Sequence, residues 1–265
     1  MRNVTDTHPL ALITGASSGI GAEIARVLAA RRYDLILAAR RIERLEGLAE
    51  ELRRAHSVSV TVAAADLSVA GAAGKLWAAT GQQAQEIEVL VNNAGVGLAG
   101  NLAEADVESM ERMVRLNMEL LTSLIRLALP GMLQRRSGRI LNVASLAGFQ
   151  PAGPGMAVYY ATKAYVLSLT RALAVELRGT GVTATALCPG PTRTEFDAVG
   201  GAARTRLFRW LPVMEAETAA AAGVRGMLEG RTAVVPGWFN KLLAVGGELP
   251  PRGLATALNG WLLRE

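Results

Sequence analysis

Cysteine and histidine are almost absent from this chain of 265 residues. The single cysteine, Cys188, cannot form an intramolecular disulfide, and the apolar segment TATALCP around it predicts a buried packing residue rather than a nucleophile. The two histidines, His8 and His56, lie far apart, and neither has cysteines or clustered carboxylates at ligand spacing. We therefore expect no metal site and a core that needs no covalent or metal cross-link.

Long uninterrupted apolar runs are also missing, although 51% of the residues are hydrophobic. Arg126 and Pro130 break the most apolar stretch before it reaches the roughly 18 residues that a membrane span needs. The first residues, MRNVTDTHPLALITGAS, contain no apolar block of signal-peptide length with a cleavage site. The sequence therefore predicts a cytoplasmic protein with no membrane partner.

Aromatic residues make up only 5% of the chain and do not interleave with its basic residues, although the net charge is +5. Single-strand binding surfaces combine the two residue types. Pairs of arginines instead stand at predicted helix ends, where they complement the helix dipole: Arg31 with Arg32, Arg53 with Arg54, and Arg135 with Arg136. We expect no nucleic-acid partner.

Apolar runs of strand length alternate with segments of helical period through most of the chain. Strands are predicted at 9–15, 34–40, 58–66, 87–95, 138–145, 181–190 and 232–237, and two long helices at 105–135 and 158–178. Strands that are apolar on both faces and separated by helices indicate a parallel sheet covered on both sides. The expected fold is α/β: a doubly wound, mainly parallel seven-stranded sheet, a Rossmann fold, in a single domain over 1–265. Its core spans about 9–236, and 238–265 forms a tail.

Glycine-rich or polar clusters follow the predicted strands. They span residues 14–21, 39–41, 66–67, 92–97, 145–148 and 189–194. In doubly wound sheets, ligands bind outside the carboxyl ends of the strands, where the strand order reverses. The coincidence of these clusters with strand ends predicts one binding site at that edge.

The first of these clusters, TGASSGIG, joins a predicted strand to a predicted helix. Gly15 permits a tight turn, and Gly19 and Gly21 remove side chains where the backbone would approach a pyrophosphate and where helix packs on strand. The glycine spacing differs from the usual GxGxxG, and glycine turns also occur for structural reasons alone. The surrounding strand and helix favour a dinucleotide site.

The second strand ends in LAARR, with Arg40 and Arg41 and no acidic residue. NAD sites usually carry an acidic residue at this strand end, whereas an arginine accommodates the 2′-phosphate of NADP. The alternative is that both arginines belong to a solvated helix start, where positive charge is slightly unfavourable. The cofactor predicted is NADP(H).

The segment YYATK places two tyrosines near one lysine. Spacing i, i+4 puts Tyr159 and Lys163 on one helix face, and spacing i, i+3 also lets Tyr160 reach the lysine. An ammonium beside a phenol would pull its pKa down from about 10 toward the range where acid–base catalysis works. Helical geometry alone does not choose between the two tyrosines.

Taken in order, TGASSGIG, NNAG and YYATK resemble the motifs of the classical short-chain dehydrogenase/reductase family, over about residues 9–236. The resemblance implies an NADP(H)-dependent oxidoreductase that transfers hydride between the nicotinamide and a small carbonyl or alcohol substrate. It also implies a homodimer or homotetramer, formed by packing the two long helices across a two-fold axis.

The resemblance also assigns roles to single residues. The catalytic four would be Asn117, which orders a water leading to the lysine, Ser145, which bonds the substrate oxygen, Tyr159 as acid and base, and Lys163. The cofactor-binding residues would be Gly15, Ser17, Ser18, Gly19, Ile20, Gly21, Arg40, Asp66, Leu67, Asn93, Ala94, Gly95, Tyr159, Lys163, Pro189, Gly190 and Thr192.

The chain departs from the family pattern in one place: Ser145 and Tyr159 are 14 residues apart, one more than expected, which suggests an extra residue in the loop FQPAGPGM. Two other functions remain open, a non-catalytic NADP(H)-binding regulator or scaffold and an epimerase or dehydratase on the same fold. Aromatic residues near and in the tail are expected to line a lid over an apolar substrate, or else to pack at an interface: Phe208, Trp210, Trp238, Phe239 and Trp261.

Overall fold

The computed structural model describes residues 8–195 and 211–249, together with 253, 256, 258 and 261–263 of the tail. Seven parallel strands form one sheet in the order β3-β2-β1-β4-β5-β6-β9. They are β1 (Leu10–Thr14), β2 (Asp34–Ala39), β3 (Val60–Ala64), β4 (Ile87–Asn92), β5 (Gly138–Val143), β6 (Val182–Leu187) and β9 (Ala233–Val234). Two short strands, β7 (Thr192–Arg193) and β8 (Met214–Glu215), pair with each other outside this sheet.

Helices cover both faces of the sheet. They are α1 (Gly19–Ala29), α2 (Ile42–His56), α3 (Ala72–Ala79), α4 (Val107–Val114), α5 (Leu120–Arg135), α6 (Ala157–Glu176), α7 (Ala216–Leu228) and α8 (Trp238–Glu248). Successive residues of β1 pack into two different cores, because side chains alternate across a strand: Leu12 joins the core under α3, α5 and α6, and Ile13 joins the core under α1, α2 and α7. The predicted doubly wound, seven-stranded parallel fold in a single domain is confirmed.

The long helix predicted at 105–135 is present with an interruption. A π-helical turn, Arg115–Glu119, separates α4 from α5. The whole stretch Val107–Arg135 is long and apolar enough to cross a membrane by length and composition. However, Leu121 and Leu124 of α5 are buried in the core against the sheet, as expected of a core helix.

The strand order reverses between β1 and β4, since β1 is followed outward by β2 and β3 on one side while β4 leads to β5 and β6 on the other. The segments that leave β1 and β4 therefore run to opposite faces and leave a crevice between them. This crevice lies at the carboxyl edge of the sheet, where the polar clusters of the sequence are found.

Candidate active site

A cavity of about 1000 Å³ opens at this edge of the sheet. Its walls come mainly from the segments that follow the six strands β1 to β6. Most residues singled out from the sequence line it: Gly15, Ser17, Ser18, Gly19, Ile20, Arg40, Leu67, Asn93, Ala94, Gly95, Ser145, Tyr159, Lys163, Pro189, Gly190 and Thr192. Gly21, Asp66 and Asn117 do not line the cavity; Gly21 and Asn117 contact residues that do, and Asp66 directly precedes Leu67, which lines it.

The side chain of Asn93 joins the ends of β1 and β4. Its Nδ2 donates to the carbonyl oxygens of Thr14 at 2.9 Å and Gly15 at 3.1 Å. The Thr14 hydroxyl in turn accepts from the backbone N–H groups of Asn93 and Ala94. Gly21 packs on the same amide, because a Cβ added there would lie 2.4 Å from Asn93 Nδ2. The glycine-rich loop is thus held in place by hydrogen bonds and by close packing.

The amino terminus of α1 opens on the cavity through Gly19 and Ile20. Ser18 precedes the helix, and its side chain does not cap the first N–H groups. Such N–H groups carry partial positive charge and bind phosphate oxygens readily. The donors at this end of the cavity therefore fit the pyrophosphate of a dinucleotide.

Two arginines follow β2 beside this loop. Arg40 is exposed and lines the cavity. Arg41, which the resemblance did not single out, also lines it and donates to the hydroxyls of Ser17 at 3.1 Å and Ser18 at 2.7 Å. These contacts join the loops that follow two neighbouring strands, so they depend on the strand order rather than on any local sequence signal. The two guanidinium groups are suited to bind a phosphate.

Asp66 turns the chain after β3 without lining the cavity. Its carboxylate accepts hydrogen bonds from the hydroxyl of Ser68 at 2.6 Å and from its N–H at 2.9 Å. These bonds lower the pKa of Asp66, and the charges of Arg40 and Arg112 add to the effect. The turn brings the buried side chain of Leu67 to the cavity wall.

Tyr159 and Lys163 lie one helical turn apart on α6, and both are buried. The Lys163 Nζ is 5.8 Å from the centre of the Tyr159 ring and donates to the carbonyl oxygen of Val143 at 2.9 Å. Burial lowers the pKa of Lys163 to about 8. A cation this close to a phenol stabilises the negative charge that remains when the phenol releases its proton.

Tyr160 has different surroundings. Its ring packs against Gly153, where an added Cβ would lie 2.3 Å from the ring, and its centre is 6.2 Å from that of Tyr159. Burial raises the pKa of Tyr160, and Tyr159 adds to the effect. Helical spacing does not decide which of the two tyrosines reacts, and these surroundings favour Tyr159.

Ser145 follows β5 and begins the short 3-10 helix Leu146–Phe149. Its Oγ accepts from the N–H of Ala147 at 3.1 Å, which leaves the hydroxyl hydrogen for another acceptor. Gly148 lets this turn touch α6, because a Cβ there would lie 2.7 Å from the carbonyl oxygen of Lys163. The turn that carries Ser145 is thereby packed on the helix that carries the lysine.

Asn117 lies in the π-helical turn and is buried. Its Oδ1 accepts from the N–H of Val96 at 3.0 Å, and its Nδ2 donates to the Val96 carbonyl at 2.9 Å and to Thr162 Oγ1 at 3.0 Å. These bonds connect the loop after β4 with α6. The side chain therefore holds two walls of the site together, and the ordering of a water by Asn117 stays a prediction.

The other end of the cavity is apolar. The described tail and the segment before β8 contribute leucines to its wall: Leu211, Leu242, Leu243, Leu249, Leu258 and Leu262. Helix α8 is fixed there because Gln150 Nε2 donates to the carbonyl oxygen of Leu243 at 3.0 Å and Arg171 pairs with Glu248 at 2.7 Å. The loop FQPAGPGM thus contributes, through Gln150, both to the anchoring of α8 and to the cavity wall.

The expectation that aromatic residues line this end is wrong for Trp238, Phe239 and Trp261, none of which lines the cavity. Trp238 is the first residue of α8, is 78% exposed, and packs edge-to-face on Phe239. Phe208 and Trp210 lie outside the described residues. Aliphatic side chains on α8 form the apolar wall instead.

Comparison with known families identifies the chain. The profile of the short chain dehydrogenase family matches residues 9–204, which is well over half of the sequence. The chain therefore belongs to the short-chain dehydrogenase family.

Individual relatives agree with this assignment. The chain is 38% identical over 192 residues to the NADP-dependent 3-hydroxy acid dehydrogenase YdfG of Salmonella typhi, which covers 72% of this chain and 75% of that protein. It is 35% identical to a short-chain dehydrogenase from Sphingobium yanoikuyae solved in complex with NADPH, with a TM-score of 0.81 and coverage of 93% and 94%. It is 30% identical to the bulky-bulky ketone specific alcohol dehydrogenase from Comamonas testosteroni, with a TM-score of 0.76 and coverage of 93% and 96%.

We expect Lys163→Met to change how stability depends on pH. The folded pKa of Lys163 is about 8, whereas an unfolded lysine has a pKa of about 10.4, so the unfolded chain binds more protons between these values. Wild type should therefore gain stability relative to the variant as the pH rises from about 8 to about 10, by about 2 kcal/mol. Melting temperatures at both ends of this range measure the gain. Lys75→Met, at an exposed lysine of α3, is the control, and a gain equal to that of this control would contradict the prediction.

Proposed function

We propose that this protein is an NADP(H)-dependent oxidoreductase that interconverts a ketone or aldehyde and the corresponding alcohol, with Tyr159 as the acid and base. The observation that carries the proposal is the buried ammonium of Lys163, 5.8 Å from the centre of the Tyr159 ring, in the cavity that Ser145 also lines. The family membership and the NADPH complex of a similar protein support it.

The roles of the residues follow from the charge that the reaction creates. Reduction places negative charge on the carbonyl oxygen, so the site must supply hydrogen-bond donors and one proton there. A bound nicotinamide cofactor supplies the hydride. The Ser145 hydroxyl donates a hydrogen bond to the carbonyl oxygen, and Tyr159 transfers its phenol proton to the same atom. Lys163 stabilises the phenolate until solvent returns the proton, and the same groups act in reverse for alcohol oxidation.

The charges at the glycine-rich end support NADP(H) as the cofactor. Ala39 stands where a carboxylate would grip a ribose hydroxyl, and Arg40 and Arg41 follow it on the cavity wall. The name of one relative, an NADP-dependent dehydrogenase, agrees with this choice. Arg40 would bind the 2′-phosphate, because the guanidinium of Arg41 already holds Ser17 and Ser18.

The distribution of charge in the cavity also supports an apolar substrate. Apart from Lys163, the charged lining residues among those described are Arg40, Arg41, Arg112 and Glu195. Arg40, Arg41 and Glu195 lie beside the glycine-rich loop, where Glu195 pairs with Arg41, and the charges of Arg112 and Arg40 both act on Asp66. A substrate that is apolar beyond its carbonyl group therefore fits the leucine-lined end.

The role of Tyr159 is tested by removing one hydroxyl. We expect Tyr159→Phe to lower kcat by roughly two to four decades, the typical effect of losing an acid catalyst, with little change in NADPH affinity. Tyr160→Phe is the matched control and should lose less than about tenfold, because its ring packs on Gly153 rather than beside the lysine. Steady-state rates of NADPH oxidation decide the matter, and an inactive Tyr160→Phe beside an active Tyr159→Phe would reverse the assignment.

Cofactor preference is tested at Arg40. Loss of a charge-assisted hydrogen bond of about 1.5 to 3 kcal/mol should weaken NADPH binding by roughly one to two decades in Arg40→Ala and leave NADH binding nearly unchanged. Arg54→Ala, an exposed arginine of α2 paired with Glu50, serves as control. Equal affinities of wild type for NADPH and NADH would defeat the prediction.

The substrate class is tested with two kinds of carbonyl compound. We expect kcat/KM with NADPH to be at least about tenfold higher for an aryl alkyl ketone than for glyoxylate, since each buried methylene contributes about 0.8 kcal/mol. The comparison uses initial rates at equal NADPH concentration. A preference for glyoxylate would rule out an apolar site. It would instead point to an acidic substrate, as in the name of the Salmonella relative, a 3-hydroxy acid dehydrogenase.

A further inference from the structure

Glu195 binds two arginines at the rim of the cavity. Its Oε2 accepts from Arg41 Nη1 at 2.6 Å, and its Oε1 accepts from Arg44 Nη1. The opposite edge of the Arg41 guanidinium donates to the hydroxyls of Ser17 and Ser18. Three segments that are distant in sequence therefore meet at Arg41: the glycine-rich loop, the start of α2 and the residues that follow β6.

The four residues Thr192–Glu195 form a strap across the glycine-rich loop. At its base, β7 pairs with β8, and Arg193 also pairs with Glu215 at 3.0 Å. In its middle, Thr194 packs on the start of α1, because a Cβ added at Gly19 would lie 3.2 Å from the Thr194 methyl carbon. At its tip, Glu195 holds the two arginines. The strap thus passes over the loop that fits a pyrophosphate.

The tip of the strap closes on the outer side of the cavity. Arg44 pairs with Glu195 but does not line the cavity, whereas Arg40 lines it and is not among the partners of Glu195. The Glu195 carboxylate therefore leaves Arg40 available for an anion inside. Hydrogen bonds from Arg44 and Arg41 lower the pKa of Glu195 to about 2, so its negative charge persists throughout the neutral range.

We propose that Glu195 is a positioning residue for the cofactor: by binding Arg41 and Arg44 it keeps the strap Thr192–Glu195 closed over the glycine-rich loop and slows the release of a bound dinucleotide. This inference rests on the proposed function only in that a dinucleotide occupies the cavity. Because the strap crosses the loop rather than the 2′-phosphate position, it retains NADPH and NADH alike.

The test is Glu195→Gln, which keeps the shape of the side chain and removes its charge. Exposed ion pairs are each worth roughly two- to fivefold in an equilibrium constant, and here two share one carboxylate. We expect the Kd of NADPH and of NADH each to rise by about three- to tenfold, through faster dissociation in stopped-flow displacement. Glu51→Gln is the matched control, because Glu51 has the same 47% side-chain exposure and pairs with Arg26 at 2.8 Å on α1. Glu51→Gln should leave the Kd of NADPH and the Kd of NADH unchanged.

Arg44→Gln supplies a second variant that leaves the glycine-rich loop and its serines untouched. If Glu195 and Arg44 act together to keep the strap closed, the double variant Glu195→Gln with Arg44→Gln should lose no more NADPH affinity than the weaker-binding single variant. Tighter NADPH binding by Glu195→Gln with unchanged NADH binding would instead show that the carboxylate competes with the 2′-phosphate of NADPH. That result would overturn the proposed role of Glu195. Unchanged Kd and dissociation rates would overturn it as well.

The outcome is separate from that of the proposed reaction. Failure of wild type to bind either dinucleotide would contradict both the proposed function and the proposed role of Glu195. If wild type binds both dinucleotides and the variants Glu195→Gln and Arg44→Gln behave like Glu51→Gln, only the proposed role of Glu195 is contradicted. Full hydride transfer by wild type with faster cofactor release in Glu195→Gln is the result that supports both.

Discussion

The hydrogen bonds of the Asn93 amide are the constraint on which the rest of the site depends. At the reversal of strand order, β1 and β4 send their chains to opposite faces; the β1–β4 ladder ends at the pair Ile13 and Val91, so the carbonyl groups of Thr14 and Gly15 lie beyond it. Backbone carbonyls in such a place need partners, and Asn93 Nδ2 supplies one to each. The glycine-rich loop is thereby fixed to the loop after β4, which Asn117 in turn fixes to α6 through Val96 and Thr162. Both ends of the cavity are connected by this chain of amides.

The buried ammonium of Lys163 is a second consequence of that framework. An ammonium out of contact with water is unfavourable unless its surroundings replace the lost hydrogen bonds. Here the Val143 carbonyl at the end of β5 accepts one hydrogen bond, and the face of the Tyr159 ring is near. A side chain at Gly148 would move the backbone that surrounds this charge, since an added Cβ would meet the Lys163 carbonyl oxygen at 2.7 Å. The position of the charge is thus set by backbone packing, since none of the carboxylates in the described part of the chain pairs with it.

Much of this arrangement could be predicted from the sequence because it rests on local periodicity. Strand positions, the glycine-rich turn after β1 and the placing of a tyrosine within one helical turn of Lys163 follow from spacings of a few residues, whereas the choice of Tyr159 over Tyr160 came from the family resemblance. The π-helical turn at Asn117 could not be predicted, because a single extra residue in a helical turn leaves the apolar pattern of 107–135 almost unchanged. Contact between Arg41 and Glu195 spans 154 residues and depends on the strand order. The aromatic residues of α8 failed as indicators of the cavity wall, because composition does not tell which side of a short helix faces inward.

The family match ends before the leucines that the end of the chain contributes to the cavity wall. Residues 9–204 match the family profile, and they contain the glycine-rich loop, Ser145, Tyr159 and Lys163. Every leucine at the apolar end from Leu211 onward lies beyond this match. The part shared with relatives therefore carries the groups that we propose to hold a cofactor and move a proton, together with apolar lining residues such as Leu98, Leu146 and Met156, and the residues beyond it add the leucines from Leu211 onward. Since binding of an apolar group depends on the shape and area of the whole apolar wall, similarity within the shared part indicates the type of reaction, whereas the choice of substrate depends also on leucines that lie beyond the match.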